Sequence, residues 1–323
     1  MGTNAKNREA QISLIGSGKY SDVFKVKPPA GRIVIMKVSY YRDDTICDVI
    51  KRVKDGDVKA ALRAKRRDSI QVGAEFARVT AKLMDRVCPH FVYVYCELDC
   101  RMLAPKLGPL LKERLKELTP MQQRYNSVCF MEVFHTNMTR FLATGKVDEA
   151  VLRGMVFQVL YSMAVLQARL PGFRHNDLST NNVLVKRLRR RPLLSYEVGG
   201  DTFYVWSSAF PALSDYDFVH VPGHAGLANE RVQSGKYKVD GRRNDSYDSH
   251  LFLKSVVKCI HRRREAFPAT SAFLARLKMR DEDRQNGSVF PRLRPAVLLK
   301  DAYFAPLKRR PPGSGAVSAA YSA

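Results

Sequence analysis

The spacing of apolar residues changes along this chain, and that change limits its fold more than any other feature. Near the start the pattern has the period of strands. Gln11 to Ile15 leads into a glycine turn, and Ser21 to Val26 alternates its faces. Pro28-Pro29-Ala30-Gly31 is a second turn, and Arg32 to Tyr40 is another strand. Residues Asp43 to Ser69 are charged and irregular, with room for a helix of their own. Val72, Phe76, Val79 and Leu83 then recur at helical spacing, and Phe91 to Glu97 and Ser127 to Met131 return to strand character. Leu152, Val156, Val159, Met163 and Leu166 form one stripe of a long helix that stops at Leu170-Pro171-Gly172. Val183 to Val185 is a strand, and Leu193 to Trp206 reads as a hairpin around Gly199-Gly200-Asp201. From Asp248 the pattern is helical, and the Pro-, Gly-, Ser- and Ala-rich residues Pro311 to Ala323 are expected to be disordered. Strands first and helices last predict an α+β chain of two lobes with different character.

With 45% hydrophobic and 27% charged residues, the 323-residue chain is expected to fold. No apolar run reaches the roughly 20 residues of a membrane span, and residues 1 to 11 lack a signal-peptide core. An intracellular, non-secreted protein with free thiols is expected. The six cysteines contain no CxxC pair, and Cys96-x-x-x-Cys100 has no second pair to complete a zinc site. The formal charge of +24 is concentrated in Lys51 to Arg67, Lys186 to Arg191, Arg262 to Arg264 and Lys308 to Arg310. Such a surface attracts nucleic acid, acidic protein or anionic lipid nonspecifically, or is simply solvated. Without interleaved aromatic residues it is not a base-stacking surface.

Four segments carry chemistry. Gly16-Ser17-Gly18-Lys19-Tyr20-Ser21-Asp22-Val23 lies between two strands, which disfavours a dinucleotide-binding turn and suits a hairpin whose N–H groups cover phosphates. Ser21 stands where a third glycine would complete that pattern. Lys37 is flanked by apolar residues in a strand. It either faces solvent from an edge or meets an anion, and Glu75 on the later helix is a suitable partner. In His175-Asn176-Asp177-Leu178-Ser179-Thr180-Asn181-Asn182, Asp177 and Asn182 have the spacing of a proton acceptor and a metal-binding amide in phosphoryl transfer. A plain Asx-rich turn is the alternative, and the helix before it and strand after it weigh against that. Asp215, in Leu213-Ser214-Asp215-Tyr216-Asp217-Phe218, ends an apolar stretch where a carboxylate can hold magnesium.

In this order the segments resemble eukaryotic-type protein kinases. The chain is more similar still to the divergent Ser/Thr kinases of large nucleocytoplasmic DNA viruses, through Cys88-Pro89-His90-Phe91, the HNDLSTNNVLV loop, the long hairpin before Asp215 and Tyr247 to Leu253. The resemblance covers residues 11 to 265 or so. It implies a protein-kinase-like bilobal fold: an N-lobe of antiparallel sheet plus one main helix over 11–134, after an extension at 1–10, and a mostly helical C-lobe over 135–310. ATP and Mg2+, or Mn2+ in its place, are the implied cofactors, protein Ser/Thr hydroxyls the acceptors, and the host cytoplasm or virion the location.

The resemblance also implies roles. Gly16, Ser17, Gly18 and Ser21 would lie over the phosphates and Val23 over adenine. Lys37 and Glu75 would form the strand–helix ion pair. Met131 would be the gatekeeper, with Glu132, Val133 and Phe134 as the hinge. Asp177 would be the catalytic base, Asn182 and Asp215 the metal ligands, and His175 and buried Asp248 structural supports. All of this requires Lys37, Asp177, Asn182 and Asp215 to converge on one triphosphate. Asn176 replaces the usual arginine, Asp217 the last residue of DFG and Ser179 a common lysine, and no APE follows. The segment from Phe218 to Ser246 is therefore expected to work without phosphorylation. Two other readings stay open: a small-molecule kinase of the aminoglycoside or choline type, and a basic pseudokinase that binds nucleic acid or virion components.

Overall fold

The computed structural model describes residues 9–101, 107–224, 226–235, 243–279 and 291–322. Most of the polar N-terminal extension and part of the segment between Phe218 and Ser246 lie outside them. The chain is a mixed α+β protein whose backbone falls into two compact units, 1–74 with 93–133, and 75–92 with 134–323.

In the first unit, strands β1 (Gln11–Ser17), β2 (Ser21–Lys27), β3 (Val34–Tyr40), β4 (Val94–Cys100) and β5 (Asn126–Met131) form one sheet. Its order is β1-β2-β3-β5-β4, antiparallel throughout. Helices α1 (Asp43–Lys54) and α2 (Val58–Arg66) follow β3, and α3 (Ser69–Ala81) runs from this unit into the next. Short helices α4 (Lys112–Glu117) and α5 (Pro120–Arg124) precede β5. One face of the sheet carries the core, with Phe24, Met36, Val38 and Val128 buried beside Leu111 and Leu118.

Several expectations change here. More than one helix accompanies the sheet. The charged stretch after β3 is two helices, because Ile46, Ala60 and Ala61 supply a narrow buried stripe among its charges. Acidic Asp43 and Asp44 open α1, and Lys51, Arg52 and Lys54 close it, which suits the helix dipole. Helix α3 stops at Ala81, before Leu83. The strand expected from Phe91 begins at Val94, while Phe91 bridges to Leu213 in the second unit.

The second unit holds β6 (Thr136–Asn137), α6 (Met138–Ala143), α7 (Glu149–Arg169), β7 (Val183–Arg187), β8 (Leu193–Val198), β9 (Asp201–Trp206) and β10 (Ala209–Leu213). Then come α8 (Glu230–Gln233), α9 (Tyr247–Ile260), α10 (Pro268–Arg276), α11 (Pro295–Leu298) and β11 (Ala319–Ser322). It is less purely helical than expected, with sheets ordered β10-β7-β6 and β11-β8-β9. Helix α7 is capped by Asp148, which accepts from Val151 N, and ends where Gly172 takes a positive φ. By length and mean hydropathy α7 could cross a bilayer, which the sequence reading had not allowed, yet 72% of its apolar window is buried. The β8–β9 turn uses Gly199 and Gly200, both at positive φ, as a two-residue hairpin requires. The tail expected to be disordered instead pairs β11 in parallel with β8, and Tyr321 stacks on Tyr196.

A buried polar chain ties this unit together. His90 Nε2 lies 2.8 Å from the Tyr196 hydroxyl, its Nδ1 lies 2.8 Å from Pro211 O, and Gln158 Nε2 donates to the same hydroxyl. The tyrosine's single proton then goes to Nε2, so the ring carries its own on Nδ1. Burial lowers the His90 pKa to about 3. Below about pH 6.5 the unfolded chain takes up a proton here that the folded chain refuses. The stability is therefore complete above that pH and declines as acid is added, by up to about 1.4 kcal/mol per pH unit. Thermal unfolding of His90→Gln should show a shallower decline between pH 6 and 4 than the wild type. Equal slopes would contradict this.

Candidate active site

The second unit gathers five of the residues singled out above. Strands β7 and β10 are antiparallel with Val183 opposite Leu213, so Asn182 and Ser214 meet at the same end of the pair. Ser214 donates to Asn182 O twice, from its N at 3.0 Å and its Oγ at 2.9 Å. Leu213 is fixed from its other side, donating to His90 O and accepting from Val92 N. The Cys-Pro-His-Phe segment thus acquires a structural role that its sequence does not announce: it holds the end of β10, two residues before Asp215.

Asn182 Nδ2 donates to both Asp177 O, at 2.7 Å, and Asp177 Oδ2, at 2.8 Å. Asp177 reaches the surface, yet desolvation by the surrounding protein raises its pKa above the ordinary carboxylate value. Asp215 and Asp248 push the same way, while His175 and the Asn182 bond oppose them. Asp215 follows Ser214 directly, so the bonds of Ser214 to Asn182 O bring a further carboxylate to this end of the strand pair.

The loop is held from below by α9. Asp248, 1% exposed, accepts from His175 N through Oδ2 and from Asn176 N through Oδ1, both at 2.8 Å. Burial raises its pKa, and the charges of His175 and Arg174 and the two N–H donors act against that. His175 Nε2 lies 3.0 Å from Ser214 O. Asn176 sits at φ +66° and donates from Nδ2 to Phe218 O. Asp215 also has a left-handed φ, +63°. Such conformations are costly outside glycine and persist where surrounding bonds dictate them. Thr180 N donates to Ser255 Oγ on α9, and Thr180 Oγ1 pairs with Thr139 Oγ1.

Three contributors escaped the sequence reading. Arg174 exchanges both backbone bonds with His220, and its guanidinium lies 3.9 Å from the centre of the Tyr247 ring. Tyr216 meets Phe76 edge-on, and Phe76 stacks on Phe173. Asn229 Nδ2 donates to Asp217 O. Arg174 adjoins His175 and Tyr216 adjoins Asp215, while nothing in the sequence points to Asn229. Glu75 accepts from Arg78 Nη1 at 2.6 Å, and its Cγ lies 3.5 Å from where a Cβ on Gly226 would stand. Phe134 lies beneath Lys186 Nζ, 4.8 Å from its ring centre.

The first unit carries the remaining residues. Val23 pairs with Lys37 across β2–β3, Lys37 with Cys129, and Ile35 with Met131, so all five share the sheet face opposite the core. Glu132 Oε1 accepts from Tyr93 N, and Glu132 N donates to Tyr93 O; Val133 follows. The β1–β2 hairpin exposes Gly16, Ser17 and Gly18. Neither glycine has a positive φ; a Cβ at Gly16 would meet nothing within 4 Å, and one at Gly18 only Ser21, at 3.5 Å. Glycine is thus not demanded by the fold, and its bareness fits a bulky anion lying against the backbone.

The donors also fit magnesium. Both bonds from Asn182 Nδ2 go to Asp177, which leaves Oδ1 to accept, and the Asp215 carboxylate is a hard oxygen ligand. No metal-binding group of three or more His, Cys, Asp or Glu occurs among the described residues. A magnesium ion that keeps waters and phosphate oxygens does not require one. Part of the basic surface is engaged within the chain. Arg191 lies over Trp206, Arg263 over Phe267 and Lys308 over Phe203, and Lys308 also pairs with Asp201.

No family model matches the chain. Over 112 residues it is 26% identical to a protein of Acanthamoeba polyphaga mimivirus named "Putative serine/threonine-protein kinase R400". The match covers 32% of this chain and 24% of that protein, so it spans about a quarter of the relative's length. A third of the chain is thus remotely similar to a protein described as a kinase.

Proposed function

We propose that this chain is an ATP- and Mg2+-dependent phosphotransferase of the protein-kinase type, acting on Ser and Thr hydroxyls and of viral character. The observation that carries this is the bonded pair of Asp177 and Asn182 before β7, joined through Ser214 to the end of β10 where Asp215 follows, and braced by Asp248. The similarity to the mimivirus protein supports it.

On this reading Asp177 orients the acceptor hydroxyl and takes its proton at a carboxylate oxygen. Asn182 holds Asp177 in place through its amide nitrogen, and its Oδ1 with Asp215 would hold the metal. Magnesium, when bound, neutralises the charge of the phosphates. Gly16, Ser17, Gly18 and Ser21 offer backbone to the phosphates, Lys37 offers its ammonium to them, and Val23, Met131, Glu132 and Val133 bound the base. The protein's contribution is positioning and charge rather than a covalent intermediate. Asn176 takes the place of an arginine that would read a phosphorylated segment, and secures that segment's start by its own amide at Phe218 O. Activity without activation-segment phosphorylation follows.

Asn176 equally suits a small-molecule kinase, so the acceptor decides the class. Phosphatase-treated protein with labelled ATP should label casein, histone or itself at Ser or Thr. Labelling of an aminoglycoside or choline with none on protein would replace this reading with the other.

A further inference from the structure

The glycine hairpin has an anchor of its own in the first unit. Arg114, on α4, lies 96 residues from Gly18 in sequence, yet its Nη2 donates to Gly18 O at 2.7 Å and to Lys19 O at 2.8 Å. Its Nε is 3.3 Å from Asp22 Oδ2, and Nη1 donates to Glu117 Oε2 at 2.8 Å. Asp22, the residue after Ser21, is fully buried and accepts from the Tyr40 hydroxyl at 2.6 Å. The guanidinium also lies over the Tyr40 ring, 5.5 Å from its centre.

One planar cation therefore compensates a buried carboxylate beneath the hairpin and grips two consecutive carbonyls at its tip. The tip has other contacts as well, among them Arg42 over the Tyr20 ring and the pairing of Ser17 with Asp22. Residues 16 to 19 are exposed, and β1 is irregular between Leu14 and Gly16. The turn's own bond runs from Gly18 N to Ser21 O, and Tyr20 O accepts from Tyr40 N. Carbonyls drawn toward Arg114 leave the tip's peptide planes with a fixed orientation, and so fix where the N–H groups point.

We propose that Arg114 is a positioning residue for nucleotide binding, holding the Gly16–Ser21 hairpin in the orientation in which its N–H groups receive phosphate. This rests on the kinase reading for its ligand, MgATP, while the tether itself does not.

Arg114→Lys separates the grip from simple charge compensation. Lysine keeps a cation for Asp22 but lacks the fork that reaches Asp22 and two carbonyls at once. The full-length variant should unfold close to the wild-type temperature. Its amides at residues 17 to 21 should exchange with deuterium about tenfold faster, those of β3 and β5 being unchanged, and its KM for MgATP should rise about tenfold with kcat held within about twofold. Arg114→Gln in an Asp22→Asn background, with no buried charge to unbalance, should behave the same way. Unchanged exchange at 17 to 21 in both variants would overturn the tether. Faster exchange with an unchanged KM would overturn the positioning role. If the wild type neither binds nor turns over MgATP, the kinase reading fails and the role in nucleotide binding with it, and the exchange result alone decides the tether.

Discussion

Asp177→Asn is expected to lower kcat by about a hundredfold to ten-thousandfold and to leave the KM for ATP within a few-fold. The asparagine keeps an oxygen for the Asn182 amide, whose bonds to Asp177 O and Oδ2 set the loop's geometry. What it removes is the capacity to take a proton. In the wild type that capacity is favoured by desolvation, with Asp215 and Asp248 adding to it, so the carboxyl is a stronger proton acceptor than an ordinary aspartate. Steady-state kinetics of both proteins provide the check. Turnover near the wild-type value would mean that Asp177 does not act on the hydroxyl.

Asp248→Ala should have the largest effect on the fold. It strips the acceptor from two buried donors, His175 N and Asn176 N. Leaving both unsatisfied costs about 2–5 kcal/mol. An opposing gain exists, because burial of the charged Asp248 is itself unfavourable, as its raised pKa records. The donors prevail, since their bonds fix Asn176 in a left-handed conformation that the chain does not adopt unaided. Denaturant unfolding should show the loss of stability, and kcat should fall with it because Asp177 follows directly in the chain. Asp248→Asn, which keeps one acceptor and turns an NH2 toward the other donor, should fall between. Wild-type stability in the alanine variant would contradict the brace.

The legible part of this protein is its local part. HNDLSTNNVLV states its own turn and the strand after it, so Asp177 and Asn182 could be paired by counting. Helix α7 showed in its apolar stripe, and the β8–β9 hairpin in Gly199-Gly200. Contacts between distant segments were not legible. Nothing near Arg114 points to Gly18, and His90 and Tyr196 are 106 residues apart. Helices α1 and α2 were obscured because charges outnumber the few residues they bury. Composition misled at the tail, where Ala319, Ala320 and Tyr321 find an open edge at β8. The grouping of residues 75–92 with the second unit follows from packing such as Phe76 on Phe173, which no period in the sequence records.

The most direct test is phosphate transfer from labelled MgATP to casein by wild type and by Asp215→Ala, with the modified residues identified. The account predicts labelled serine or threonine with the wild type, and background labelling with a variant that still folds. Equal labelling by both proteins would contradict it, as would a wild type that transfers nothing in either Mg2+ or Mn2+.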